Sequence, residues 1–282
     1  MNATSAATAL AVRMAAQLMA AYPELWPESI RALIVHSAEW TEAMRNMFLP
    51  TGRHPSKGNY ANLVRHCGFG VPDLDRAQWS ASNSLTMVAQ EVLHPFTREG
   101  SNQPTLRDMQ LHRLPWPLAE LEQLGETLVQ MRVTLSYFIE PNPSERGIRS
   151  RYRYESHSLR FDVKRPLESE DEFRARINAA ARDEEEGTRG GGDDPQWDIG
   201  KQNRHRGSLH SDIWHGTAAA LASRGILAVY PALGWWKTRT GLERYNKPAR
   251  YSLIVSIHAP EVEVDLYNAV ANQIATPVTV ET

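Results

Sequence analysis

Cysteine is almost missing from this 282-residue chain, with Cys67 the single example. One thiol excludes an internal disulfide and any zinc site built from several cysteines. An excess of one charge is missing as well: 31 Lys and Arg stand against 33 Asp and Glu, a formal −2, so the total gives no footprint for nucleic acid or an anionic membrane. No apolar run is long enough to span a bilayer. The opening does not read as a secretory leader, because residues 1 to 5 hold no Lys or Arg and Arg13 interrupts the apolar stretch that follows. What remains, 41% hydrophobic and 23% charged, has the balance of a soluble globular protein with room for one large domain or two ordinary ones. These absences together predict a cytoplasmic protein with no membrane and no nucleic-acid partner.

What is present begins with helix. Residues 5 to 21 are rich in Ala, Leu and Met, with Thr4 or Ser5 available as a cap. Only Thr8, Arg13 and Gln17 are polar between Ala6 and Ala21. A helix apolar nearly all round is normally covered on most sides, and no residue before it in this sequence can cover it. The stretch "YPELWPESIRALIVHSAEW" gives a second helix. Pro27 suits its first turn, Trp26 lies near its cap, and Ile30, Leu33, Ile34 and Ser37 mark its inner face. A short helix, a glycine turn and another short helix follow in "NYANLVRHCGFGVPDLDRA".

The pattern changes near residue 83. "SLTMVAQEV", "DMQLHRLPW", "LVQMRVTLSYFI", "SLRFDVKR", "GILAVYPALGWW" and "YSLIVSIHA" are rich in β-branched and aromatic residues. Val129, Met131, Val133, Leu135, Tyr137 and Ile139 alternate onto one face. Such strands predict a mainly antiparallel, sandwich-like β domain. A helix over 169–184 interrupts it, and the acidic, glycine-rich stretch 184–196 predicts a mobile loop.

Ser5 is the candidate nucleophile. A serine at a helix start sits beside unpaired backbone N–H groups and the positive end of the dipole, which stabilise developing negative charge. The same residue in the same place is an ordinary N-cap, so spacing alone decides nothing.

The wider stretch resembles the serine-containing segment of subtilisin-like serine proteases, the S8 peptidases. In that family a Gly-Thr-Ser-x-Ala motif opens a long buried helix. A second helix of the type P-x-x-I-R-A-L-L-x-x-S-A and a glycine turn follow. The counterparts are Thr4-Ser5-Ala6-Ala7, Pro27 to Ala38, and Gly68-Phe69-Gly70-Val71-Pro72-Asp73. The later part, with "LPWP", "RVTLSYFIEPNP" and "SLHSDIWHGTAAALASRG", looks like the carboxy-terminal β domain of one bacterial S8 group. The resemblance implies an α/β remnant over residues 1–82, the serine-bearing helices of a subtilisin-like catalytic domain, followed by the β domain over 83–282. It implies a hydrolase that cuts polypeptides through an acyl-enzyme on Ser5, with no cofactor and no metal. Ala3 stands where the family has glycine. The family's Asp, His and oxyanion Asn precede its serine, so the resemblance implies an amino-terminal half as partner and a chain inactive alone. His36 and His66 are not in a family position for the base. The alternative is a non-catalytic protein-binding module.

Other constellations are weaker. His210, Asp212 and His215 could ligate a metal, but five-residue spacing does not put two rings on one helix face. Structural residues near the start of a helix are the plainer reading, with Ser211 or Asp212 as its cap. Tyr152 and Tyr154 lie among arginines in "GIRSRYRYESH", a solvated strand face at this net charge rather than a nucleic-acid platform. Strand alternation predicts one ring of Trp235 and Trp236 inward and one outward. "GFGVP" is not a dinucleotide fingerprint.

Overall fold

The computed structural model describes residues 4–82, 86–143, 154–186 and 192–258. Helices come first: α1 (Thr4–Ala21), α2 (Pro27–His36), α3 (Glu42–Phe48), α4 (Lys57–Cys67) and α5 (Leu74–Ser82). Strands β1 (Thr86–Leu93), β2 (Phe96–Thr97), β3 (Thr105–Leu106) and β4 (Gln110–Arg113) follow, then α6 (Leu118–Leu124), β5 (Leu128–Tyr137) and β6 (Ser158–Val163). The chain continues through α7 (Glu170–Glu186), α8 (Lys201–Arg204), β7 (Leu209–Thr217), α9 (Ala218–Ala222), β8 (Ile226–Ala232), α10 (Trp235–Thr238) and β9 (Ala249–His258).

Helix and strand are thus mixed, and every paired strand in the two larger sheets is antiparallel. One sheet has the order β1-β9-β5-β7 and the other β4-β8-β6. Strand β5 is central in the first, with Val133 opposite Val255 on one side and Asp212 on the other. Its odd residues, Val129 to Tyr137, are buried in one apolar cluster as their alternation predicts. Leu159, Phe161 and Val163 of β6 and Leu227 and Val229 of β8 enter the same cluster, so the two sheets share a core. Each such side chain contributes roughly 1.5–3 kcal/mol on burial.

The first 82 residues do not stand apart from these sheets. Helix α2 lies across β5 and β9, on the face turned away from the shared core. Ile30, Ala32 and Leu33 pack with Met14 and Leu18 of α1, Ala77 of α5 and Ile254 of β9. Trp26, extended, caps α2, and Pro27 occupies its first turn, where no N–H is needed. Helix α1 ends at Ala21, ahead of Pro23, which disfavours helical backbone at Tyr22.

Two local signals close the helical region. Ser56 and Asn59 form a reciprocal cap on α4. Gly68 then ends α4 with φ +59°, and Gly70 has φ +101°. A Cβ at Gly70 would lie 2.2 Å from the carbonyl oxygen of Glu39, whose backbone bridges Val71. Only glycine permits that approach.

Two expectations change, and a third falls partly outside the described residues. Residues 209–217, anticipated near the start of a helix, form strand β7; the helix is α9, and Thr217 caps it through Ala220 N. Trp235 and Trp236 both turn inward, 1% and 5% exposed, because Gly234 ends the strand direction and a short helix follows. Helix α7 runs to Glu186, and its start carries a capping box between Ser169 and Glu172. Within the stretch anticipated as mobile, residues 187–191 lie outside the described residues. Asp193 and Asp194 are held, by Lys57 at 2.6 Å and Arg224 at 2.9 Å.

Candidate functional site

Ser5 lies in the first turn of α1 and is exposed, together with Ala6 and Ala7. Backbone N–H groups in a first helical turn have no intrahelical acceptor, so a neighbouring oxyanion would meet donors there. The side chains that follow it, Ala6 and Ala7, are small. Further along α1 only Met14 and Leu18 are buried. Leu10, Val12 and Met19 are 66%, 62% and 53% exposed, so the apolar surface expected to be covered stays open on one side.

His36 and His66, the two histidines weighed from the sequence, are engaged elsewhere. His36 is buried under α2, with Nδ1 2.9 Å from Thr134 Oγ1 and Nε2 2.8 Å from Ser256 Oγ. Burial, aided by the charge of Arg132, holds its pKa well below the usual histidine value. The ring is therefore neutral and committed at both nitrogens. His66 is exposed, engages the carbonyl oxygen of Asn62 at 2.9 Å and stacks on Phe48.

Around His36 the sheet face under α2 is polar, which the sequence did not disclose. Arg132 Nη1 donates to the carbonyl oxygen of Ala38 at 2.6 Å, and its Nη2 to that of Val35 at 3.0 Å. These bonds occupy carbonyls at and just beyond the carboxyl end of α2, where a cation is also favoured by the dipole. Arg31 reaches the other way, from α2 to Ser136 Oγ at 2.9 Å and to the carbonyl oxygens of Tyr137 and Ser208. Ser29 Oγ donates to Ser252 Oγ, and Arg250 pairs with Glu28 at 2.9 Å. An arginine on a helix reads as a solvated charge; the signal available was the run of Ser and Thr at 134, 136, 252 and 256, spaced for one sheet face.

The structure does not bring His210, Asp212 and His215 together. Strand alternation puts His210 and Asp212 on one side of β7 and His215 on the other. His210 is fully buried against Tyr137 and His205, with Nε2 2.9 Å from the carbonyl oxygen of Gly207. Asp212 accepts from the N–H groups of Ile199 and Gly200 and from Arg204 Nη1. His215 Nε2 lies 3.1 Å from Asp198 Oδ1, a bond that raises its pKa. Among the described residues no three His, Cys, Asp or Glu side chains are placed to hold a metal ion. Tyr152 lies outside the described residues, and Tyr154 is exposed. Among the described residues no helix is long and apolar enough to cross a membrane.

Comparison with known proteins gives one match. Residues 1–70 fit the family model described as the Subtilase family, Peptidase_S8. No curated protein and no solved structure matches the chain. The matched residues contain Ser5, all of α2 and the turn through Gly68 and Gly70. Residues 1–70 are thus similar to a segment of the subtilase family.

Proposed function

We propose that this chain is the serine-bearing part of a subtilisin-like endopeptidase, with Ser5 as its nucleophile. Exposure of Ser5 in the first turn of α1, inside the segment that matches the family, carries the reading. A histidine from polypeptide outside these residues takes the hydroxyl proton, held in its tautomer by an aspartate from the same source. Ser5 Oγ attacks the scissile carbonyl of a polypeptide substrate, and the Ser5 N–H with a supplied asparagine receives the oxyanion. The histidine returns the proton to the leaving amine, and water then hydrolyses the acyl-enzyme. The chemistry requires no cofactor and no metal. The committed ring of His36 supports a base from elsewhere, and so does the open apolar face of α1 with Leu10, Val12 and Met19.

In this reading residues 1–82 are the carboxy-terminal part of the catalytic domain. Residues 83–282 are a β-sandwich-like domain of the kind found in one bacterial group of the family. Their pairing through Arg31, His36 and Arg132 makes the second a platform for α2. The chain works in the cytoplasm and by itself is inactive. The test is peptide hydrolysis on adding the Asp- and His-bearing half of a complete subtilase, with Ser5→Ala as control. Cleavage that needs both the mixture and Ser5 supports the reading. A formed complex without Ser5-dependent cleavage contradicts it and leaves a protein-binding module, which the open face of α1 also favours.

A further inference from the structure

A cleft of about 260 Å³ lies between α4 and the turn from α8 into β7. Two of its three arginines, Arg65 from α4 and Arg206 from the turn, are exposed, and no carboxylate pairs with either among the described residues. Arg206 is steadied by Asn203 Oδ1 at 3.4 Å. Among the described residues no Asp or Glu lines the cleft, while Val64, Phe69 and Leu209 give it apolar walls. The third arginine in the wall, Arg204, is neutralised: its guanidinium lies against Phe161 and Trp197 and pairs with Asp212. Two unpaired guanidinium groups over an apolar floor match a ligand with one anionic end and one apolar body. Guanidinium pairs favour planar, bidentate anions. A phosphate would satisfy the cations but leave the apolar walls wet.

We propose that this cleft binds a carboxylate that carries an apolar side group, the chemistry shared by a polypeptide's free carboxyl end and an N-acylated amino acid. Ser5 is not among the residues that line it, so the proposal stands apart from the reading of that serine. The sequence signal was faint, since Arg65 and Arg206 are far apart in the chain and the fold alone makes them neighbours.

The test is a titration of the full chain followed by amide chemical shifts, with N-acetyl-leucine, N-acetyl-leucinamide, inorganic phosphate and a pentapeptide ending in free leucine. The expected result is saturable shifts for N-acetyl-leucine in residues 61–69 and 199–209, at least tenfold weaker binding of the amide and of phosphate, and tenfold or greater loss in R65Q/R206Q. Thermal unfolding of that variant and of R65K/R206K checks the fold, and the lysine pair is expected to retain part of the binding. Binding of the pentapeptide at least as tight as that of N-acetyl-leucine assigns the polypeptide end, and binding of N-acetyl-leucine alone assigns a small acid. Equal binding of acid and amide, preference for phosphate, or no saturable shift in the cleft overturns the proposal.

Discussion

His36 Nδ1 lies 2.9 Å from Thr134 Oγ1, joining the segment that matches the subtilase model to an inner strand of the four-stranded sheet across 98 positions of sequence. The opposite nitrogen is fixed by Ser256, so this histidine is a rivet between α2 and the sheet. Replacing it leaves a void and removes one partner each from Thr134, which keeps Ser211, and from the half-buried Ser256. His36→Ala is expected to lower stability by about 2–4 kcal/mol, read as a shift in the urea midpoint. An unchanged midpoint contradicts the role.

Gly70 and Gly52 make a matched pair. Both have positive φ, but only Gly70 has backbone in the space of a Cβ, at 2.2 Å from the Glu39 oxygen. Gly52→Ala is expected to cost about 1 kcal/mol from backbone conformation alone. Gly70→Ala adds a clash and is expected to cost roughly 3 kcal/mol or more. Equal losses in denaturant unfolding contradict the close approach.

Acid is expected to unfold the chain early. Burial pushes the pKa of His157 and His210 down to about 3 and that of His112 to about 4. An unfolded chain takes these protons near pH 6.5, the folded chain only near pH 3 to 4. Stability is therefore full above pH 6.5 and is lost as pH falls, by about 1.36 kcal/mol per pH unit for each ring. From pH 6.5 to 5 the three rings together remove roughly 5 kcal/mol. Denaturant midpoints at pH 7.5 and 5 check this, and a flat profile contradicts it.

How much was legible follows from how far a pattern depends on neighbours alone. The face of β5 from Val129 to Tyr137 was readable because a strand's period needs only its own residues. Trp26 and Pro27 at the start of α2, and the glycines at 68 and 70, carry their geometry locally. Strand β7 was not readable, because both its faces hold polar groups: Ser211 meets Thr134 under α2, and Asp212 meets Arg204 inside. Its "HSDIWHGT" has no apolar period. The inward turn of both Trp235 and Trp236 was not readable because a distant residue holds the two rings, with their Nε1 atoms 2.9 Å from Glu140 O and 3.1 Å from Glu140 Oε2. Ser5 was legible as a candidate through a motif, whereas the two partners of His36, Thr134 and Ser256, lie far off in sequence and no local pattern records them.

The open side of α1 separates stability from assembly. Leu10→Ser with Val12→Ser removes exposed apolar surface and is expected to change unfolding free energy by no more than about 0.5 kcal/mol. Binding of an Asp- and His-bearing subtilase half, read by calorimetry, is expected to weaken tenfold or more. Undiminished binding places the contact elsewhere.

The most direct measurement is covalent labelling of Ser5 by a fluorophosphonate, with the adduct located by mass spectrometry. The expected result is no labelling of the chain alone and a single adduct on Ser5 once the complementary half is bound, absent in Ser5→Ala. A folded complex that leaves Ser5 unlabelled, or labelling that persists in Ser5→Ala, contradicts its assignment as the nucleophile.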